Sequence, residues 1–362
     1  MSLELTVAVI AFAVAAPLTW ILRLPTKASR RLEAHVPRVG GFSIVAAFIC
    51  APLVLAIVST QGREFMREDW REFLTLVVCG TLVFMVGARD DFRDLNWKTK
   101  FGLQIVAAVG LYVGGYRIGE MTMPVGGKVA LGPLDAVVTV FWVVLVTNAM
   151  NLIDGRDGVA AGISALIAGT MAYVAWDLGH ELIALLFGAL AGASLGFVPF
   201  NLPKARRWLG DSGAYFLGFT IAGLSVAGFV DSTGRVPLYI PLVALGLPVL
   251  DAGIAFLRRF LDARHPMLFD EDHFHDRIER MFGLQPLHVT LATYLITAVF
   301  CGAALLLHVW YKSAGSAVVG AAVLLFSLAL VATLGYLRSM WNSVRVLELR
   351  GRKQASAESG TQ

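Results

Sequence analysis

The feature that most constrains this chain is a recurrence. Apolar stretches, each long enough to cross a ~30 Å hydrocarbon layer, return about eleven times along its 362 residues. They fall near 2–22, 41–59, 73–88, 101–117, 133–150, 159–176, 181–199, 213–230, 236–257, 287–310 and 314–337, the third and fourth being short or interrupted by glycine. The runs are continuous rather than alternating, which excludes a transmembrane β-barrel. In lipid every backbone polar group must be satisfied within its own segment, so the runs are expected as helices. Composition agrees. Hydrophobic residues make up 57% of the chain and charged ones 15%, far from the balance of a water-soluble domain. The expected fold class is therefore all-α, a polytopic transmembrane helical bundle of about 11 spans whose first partner is the lipid bilayer. Residues 1–340 read as one integral-membrane domain and 341–362 as a polar tail, disordered at its end. The first run opens Met1-Ser2-Leu3-Glu4 without basic residues, so it reads as the first span rather than a cleaved signal peptide. Cys50, Cys79 and Cys301 sit inside apolar runs at spacings that match no metal or redox pattern.

Orientation follows from Lys and Arg. With the loops numbered alternately, 23–40, 89–100, 151–158, 200–212, 258–286 and the tail from 338 hold 23 of the 30 basic residues, and the other side holds 7. This bias predicts an outside N-terminus, a cytoplasmic C-terminus and an odd number of spans. The net charge of +4 is then accounted for by anionic lipid headgroups, and no nucleic-acid partner is needed.

The acids gather on that same inner side, at the ends of apolar runs: Asp90, Asp91 and Asp94; Asn148, Asn151, Asp154 and Asp157; Asn201 and Asp211; and Asp270, Glu271, Asp272, His273, His275 and Asp276. An aspartate facing hydrocarbon costs roughly 2.5–3.5 kcal/mol. Six of them facing lipid would cost roughly 15–20 kcal/mol, more than the net stability of most folds, so they must face water, a cavity or a cation. Read alone, each cluster is equally compatible with a solvated loop. Asp94 reads as a turn or cap residue, His35, His265 and His288 carry no special signal, and the Gly40-Gly41 and Gly155/Gly158 pairs are compatible with plain turns. Read together, acids, amides and the cations Lys98, Lys100, Arg206 and Arg207 suit a Mg²⁺–pyrophosphate site, with hard oxygen ligands for the metal and cations for phosphate oxygens. Gly155-Arg156-Asp157-Gly158 stands out because glycines bracketing an acid let backbone and carboxylate approach a ligand closely.

At these residues the chain resembles the polyprenyl-phosphate N-acetylhexosamine-1-phosphate transferases (the WecA/MraY-type family). Pro37-Arg38-Val39-Gly40-Gly41 is similar to its PRxGG motif. Asp90-Asp91-Phe92-Arg93-Asp94 is similar to DDxxD, and Lys100 with Gln104 to KxxxQ. Residues 148–158 fit NxxNxxDGxDG, and Asn201 with Gly210-Asp211-Ser212-Gly213 fits N…GDxG. The late His-x-His-His motif appears as His273-Phe274-His275-Asp276, with aspartate in place of the last histidine.

The resemblance implies transfer of a sugar-1-phosphate from a UDP-N-acetylhexosamine to undecaprenyl phosphate with release of UMP, at the cytoplasmic face of a bacterial inner membrane, feeding a cell-envelope polysaccharide such as lipopolysaccharide. It implies Mg²⁺ as cofactor, with Mn²⁺ as a substitute, and Asp211 and Asn151 as its ligands. Asp90 would orient or deprotonate the lipid phosphate beside Asp91, and Lys100 would bind phosphate. Asn148, Asp154, Asp157, Asn201 and Arg38 would line the substrate pocket, with Asp157 nearest the uracil. His273 and His275 would meet the sugar phosphate, and family members can form homodimers. The split His-Phe-His pattern favours UDP-GlcNAc as donor. A peptidoglycan-type enzyme acting on UDP-MurNAc-pentapeptide is the alternative within the family, and a cation-coupled transporter is the alternative from another class. The transporter reading predicts mid-span acids and inverted repeats, whereas the clustered acids lie at the ends of the runs on one side and the sequence shows no repeat.

Overall fold

The computed structural model describes residues 2–22, 36–122, 128–227, 238–261, 272–310 and 313–336. His35, Arg264, His265, Asp270, Glu271 and the tail from 338 lie outside the described residues.

Each of the eleven apolar runs contains helix. In chain order the helices are α1 (Leu3–Ile21), α2 (Gly40–Val58), α3 (Thr60–Glu68), α4 (Trp70–Phe92), α5 (Trp97–Val113), α6 (Asp135–Ile153), α7 (Val159–Asp177), α8 (Glu181–Asn201), α9 (Gly210–Ala227), α10 (Tyr239–Ala244), α11 (Gly246–Leu261), α12 (Phe274–Phe282), α13 (Pro286–Val309) and α14 (Ala314–Thr333). A small antiparallel hairpin, β1 (Glu120–Thr122) with β2 (Lys128–Ala130), pairs Met121 with Val129 between α5 and α6. Among the described residues, eight helices are long and apolar enough to cross a membrane: α1, α2, α4, α6, α7, α8, α13 and α14. The chain is a multi-pass membrane protein. The other three runs fall short for identifiable reasons. The helix of α5 has 17 residues, α9 opens on the polar Gly210-Asp211-Ser212-Gly213, and the ninth run is broken between α10 and α11.

The bundle is built around α9, in which every residue from Ser212 to Val226 is buried. Helices α2, α4, α6, α7 and α8 pack against it. An enclosed helix meets protein rather than lipid, so it tolerates a polar first turn. α8 approaches α1 closely along Gly188, Gly192 and Gly196. A methyl group at Gly192 would stand 2.0 Å from the Ala8 carbonyl oxygen. Small residues four apart let membrane helices bring their backbones together. Large apolar side chains such as Trp20, Phe141, Leu295 and Leu325 cover the outer faces, where lipid is the expected solvent.

The helices run further than hydropathy suggests. Asp90 and Asp91 lie in the last turn of α4, Asn148 and Asn151 near the end of α6, and Asp211 in the first turn of α9, rather than in loops. Neighbouring helix ends supply partners for these polar groups, so the backbone can stay helical past the point where the apolar pattern stops.

Candidate active site

Four helix termini meet, the ends of α4 and α6 and the starts of α5 and α9. The Asp90 carboxylate binds the Lys100 ammonium at 2.6 Å and accepts the Leu95 N–H at 2.6 Å. The same ammonium lies 3.5 Å from Asp211, and the Asn151 amide donates to Asp211 Oδ1 at 3.3 Å. Asp91 points the other way and is 1% exposed, accepting the backbone N–H groups of Asp211 at 3.0 Å and Ser212 at 3.1 Å. Arg38 stands 3.6 Å from its carboxylate. Asp154, just beyond α6, is desolvated by its surroundings and crowded by Asp211, Asp91 and Asp157, which together push its carboxyl well above the usual range against the pull of Arg38. Asp90, Asp91, Asp154 and Asp211 thus face two cations, Lys100 and Arg38.

Glycines close this centre by contact. Trp208 donates its N–H to the Pro37 carbonyl, Gly40 donates to Trp208 at 3.0 Å and Gly41 to Leu209 at 3.1 Å. The Pro37–Gly41 segment is thereby laid alongside the approach to α9. A methyl group on Gly41 would sit 2.5 Å from the Gly213 nitrogen, and one on Gly87 2.5 Å from the Ser212 nitrogen. Gly210 has φ +79°, and a Cβ there would meet an Asp91 carboxylate oxygen at 2.6 Å. Only glycine allows both that backbone conformation and that approach.

The Asp154–Gly158 loop forms the second wall. Gly158, also at positive φ, donates its N–H to Asn201 Oδ1 at 3.0 Å, and its carbonyl accepts the Tyr294 hydroxyl at 2.6 Å. Asp157 accepts the Ala205 N–H at 3.0 Å through its carboxylate and the Thr290 hydroxyl at 3.0 Å through its carbonyl. Asn148 donates to Gln104 Oε1 at 2.7 Å, joining the two polar motif residues of α5 and α6, while the buried Gln104 Nε2 has no partner among the described residues.

The third wall is α12. His273 caps its start, and the Asp276 carboxylate accepts the His273 backbone N–H at 3.3 Å. Asp276 also takes Arg156 at 2.9 Å, and Arg156 reaches Glu279 as well. The aspartate in the last position of the late motif therefore ties α12 to the Asp154–Gly158 loop. The His275 ring fills the space beside Gly155, 2.5 Å from where a Cβ would stand, and stacks on His273 at 6.0 Å. Burial pushes the His275 imidazole down to about 4, and its Nδ1 has no partner among the described residues.

The structure brings Arg38, Asp90, Asp91, Lys100, Asn151, Asp154 and Asp211 into one centre. It places Asn148, Asp157, Asn201, His273 and His275 in the adjoining walls. Sequence reasoning missed Thr290, Tyr294, Glu279 and Asp251, the last bound to His273. Asp251 carried a readable signal: it is an acid alone within the apolar run 236–257, where a charge is expensive.

Among the described residues no three His, Cys, Asp or Glu side chains are grouped so as to enclose a metal ion. The donor set nevertheless fits Mg²⁺, which takes one or two carboxylates and completes its shell with water and substrate phosphate. Asp211 and Asn151 offer hard oxygens in a centre with excess negative charge.

Comparison with known proteins points one way. The family described as "Glycosyl transferase family 4" matches residues 73–229, from α4 to just beyond α9. The chain is 33% identical over 274 residues to a "Probable undecaprenyl-phosphate N-acetylglucosaminyl 1-phosphate transferase" of Bacillus subtilis, covering 75% of this chain and 73% of that protein. It is 29% identical over 274 residues to a "Decaprenyl-phosphate N-acetylglucosaminephosphotransferase" of Mycolicibacterium smegmatis, covering 69% and 67%. It is 27% identical over 306 residues to a "Phospho-N-acetylmuramoyl-pentapeptide-transferase" of Halalkalibacterium halodurans, covering 78% and 86%.

Proposed function

The chain belongs to glycosyl transferase family 4, and on that premise we propose that it transfers N-acetylglucosamine-1-phosphate from UDP-GlcNAc to undecaprenyl phosphate, releasing UMP. The observation that carries this reading is the convergence of Asp90, Lys100, Asn151 and Asp211, from two helix ends and two helix starts, around one anionic centre.

In the reaction a phosphate oxygen of the lipid attacks the β-phosphorus of the UDP-sugar. The bond from that phosphorus to the bridging oxygen breaks, and its electron pair leaves with UMP. Lys100 holds a phosphate oxygen of the incoming lipid while Asp90 fixes the direction of the ammonium. A phosphate monoester has a second pKa near 6, so the nucleophile is largely ionised at neutral pH and Asp90 need only orient it. Asp91 sets the first turn of α9 and hence the position of Asp211. Asp211 and Asn151 would hold Mg²⁺, with Mn²⁺ as a substitute, and the ion would neutralise charge on the pyrophosphate and on departing UMP. Asp154, Asp157 and Asn201 shape the nucleotide wall. His273 meets the sugar phosphate, with His275 packed behind it on Gly155. The excess of Lys and Arg in the loops on this side argues for a centre open to the cytoplasm of a bacterial inner membrane.

The test is UMP release by the purified full chain with Mg²⁺, undecaprenyl phosphate and a panel of UDP-N-acetylhexosamines, with and without chelator. Chelator-sensitive release from UDP-GlcNAc is expected. Release from UDP-MurNAc-pentapeptide alone would move the chain to the peptidoglycan branch, and no release from any donor would overturn the reading.

A further inference from the structure

We propose that Tyr294, with Thr290 one turn before it on α13, is a positioning residue for the donor nucleotide: the two hydroxyls hold the Asp157–Gly158 backbone in the shape that receives it. The Asp157–Gly158 peptide is pinned at both ends. Its carbonyl accepts the Thr290 hydroxyl at 3.0 Å, and its N–H donates to Asn201 Oδ1 at 3.0 Å. The next peptide is pinned in the same way. The Gly158 carbonyl accepts the Tyr294 hydroxyl at 2.6 Å and the Gly162 N–H at 3.1 Å, while the Val159 N–H donates to the Arg156 carbonyl at 3.2 Å. A peptide unit is planar, so fixing its carbonyl and its N–H together fixes the rotation of the unit. The loop needs such ties because Gly155 and Gly158 bring backbone freedom, and Gly158 is held at φ +79°. A hydroxyl on an apolar helix requires a partner. Thr290 has a second acceptor within α13, the Pro286 carbonyl at 3.1 Å, so the Tyr294 contact is the firmer of the two. Gly162 makes room for it, since a Cβ there would stand 2.1 Å from the Tyr294 hydroxyl oxygen. The held loop leads straight into the anionic centre. Asp154 donates its N–H to the Asn151 carbonyl at 3.3 Å, and the Asn151 amide bonds Asp211.

This inference rests on the reading of Asp154–Gly158 as the nucleotide wall, and the experiment separates the two. UMP binding is measured by calorimetry with the full chain and Mg²⁺. UMP release is measured with undecaprenyl phosphate and UDP-GlcNAc added. The proteins compared are the unchanged chain, Tyr294→Phe, Thr290→Val, Thr290→Ser and Thr297→Val. Tyr294→Phe removes only a hydroxyl. It should raise the Kd for UMP and the KM for UDP-GlcNAc together by ~3–10-fold, the weight of one hydrogen bond. The kcat and the KM for undecaprenyl phosphate should stay within about twofold, the signature of lost donor binding rather than lost chemistry. Thr290→Val should act in the same direction, and Thr290→Ser, which keeps the hydroxyl, should bind the donor as the unchanged protein does. Thr297→Val is the control, because the Thr297 hydroxyl bonds the Thr293 carbonyl within α13 at 2.9 Å, and it should leave every constant unchanged. A Tyr294→Phe protein whose UMP Kd and donor KM stay within about twofold, below the effect of one hydrogen bond, would overturn the proposal. So would an equal rise in the two KM values, which would make Tyr294 a plain packing residue. Should Tyr294→Phe fail to fold, Thr290→Val is set against Thr290→Ser, and equal donor KM and UMP Kd in those two would overturn the proposal. If the unchanged protein binds UMP but releases none from any donor, the transfer reading falls and the UMP Kd alone decides this inference. If it binds no UMP, the loop is no nucleotide wall and the inference falls.

Discussion

Asp91 and Asp211 lie 120 residues apart, and the buried carboxylate of Asp91 accepts the backbone N–H of Asp211 at 3.0 Å. Its second oxygen takes the Ser212 N–H at 3.1 Å. The first turn of a helix leaves its N–H groups without intrahelical partners, and here a side chain from α4 caps α9. A negative charge also suits the positive end of the helix dipole. Asp91 is therefore placed to build the site rather than to touch substrate. Asp91→Asn keeps the shape but points an N–H at one of the two donors and removes the charge. A loss of about 1–3 kcal/mol is expected for the orphaned buried group. The displaced Asp211 should lower turnover by about 100-fold. Thermal unfolding in detergent and UMP release check the two effects, and an unchanged melting temperature together with full activity would contradict the capping role.

Lys100 sits between Asp90 at 2.6 Å and Asp211 at 3.5 Å, where, in the proposed reaction, it would both hold phosphate and compete with a metal ion. Lys100→Met should separate these roles. Turnover should fall by about 10²–10³-fold, the loss typical of one preorganised electrostatic partner. The Mg²⁺ concentration giving half-maximal activity should fall as well, because the anionic centre loses its resident cation. Asp211→Asn should shift that Mg²⁺ midpoint upward. A Lys100→Met protein that needs more Mg²⁺ would show that the ammonium and the metal do not share the centre.

Gly87 tests the close approach of α4 to α9. A methyl group there would stand 2.5 Å from the Ser212 nitrogen and 2.6 Å from the Asp211 carbonyl oxygen, both backbone atoms that cannot swing aside. Gly87→Ala should destabilise by about 1–3 kcal/mol and lower turnover by moving Asp211. Gly102, on α5, has nothing within 4 Å of its added Cβ, so Gly102→Ala should stay within about 0.5 kcal/mol and keep full activity. Equal behaviour of the two variants in unfolding and UMP-release assays would remove packing as the reason for glycine at 87.

Much of this arrangement was legible in the sequence, and the unread part has a physical pattern. The eleven apolar runs mark where helices lie because lipid enforces backbone satisfaction within each segment. The motif acids Asp90 and Asp211 could be assigned to one side because alternate loops face alternately. What periodicity cannot show is which groups meet once helix ends are enclosed. Asp91 and Asp211 look alike in sequence, yet one caps a helix at 1% exposure and the other stands beside Lys100 and Asn151. Gly40 and Gly41 read equally well as a turn, and only the nearness of Phe197 and Gly213 reveals them as contact points. Tyr294 and Thr290, ordinary residues of an apolar helix, hold the Asp157–Gly158 backbone from across the bundle. No local signal marks them.

Arg156 bridges the Asp154–Gly158 loop to α12 through Asp276 at 2.9 Å and through Glu279, and it is 27% exposed. Asp276 is occupied by this contact and by the His273 N–H, so it should act by fixing α12 rather than by binding sugar phosphate. Arg156→Ala and Asp276→Ala should each weaken the donor interaction, seen as a raised KM for UDP-GlcNAc. Together they should cost less than the sum of the two, with a coupling of about 0.5–1 kcal/mol. Strict additivity of the two changes in KM would mean that the loop and α12 act independently.

His275 gives the fold a dependence on acid that can be worked out in sign. Its imidazole is pushed from 6.5 to about 4, first by burial, with His273 and Arg156 adding to the depression and Asp276 and Asp251 opposing it. Between those two values the unfolded chain binds a proton at this residue and the folded chain does not. Stability therefore rises with pH across this window. The contribution is fully retained above about 6.5 and is lost as pH falls toward about 4. Protonating the folded state would set a charge on a ring that is 2% exposed. At pH 4.5 the loss amounts to roughly 2–3 kcal/mol. His275→Gln has no proton to take up. Its melting temperature should fall less than that of the unchanged protein between pH 7.5 and pH 4.5, whatever its starting value. Parallel declines of the two proteins would show that His275 titrates alike in the folded and unfolded chains, and hence that its ring is not sealed between Gly155 and His273.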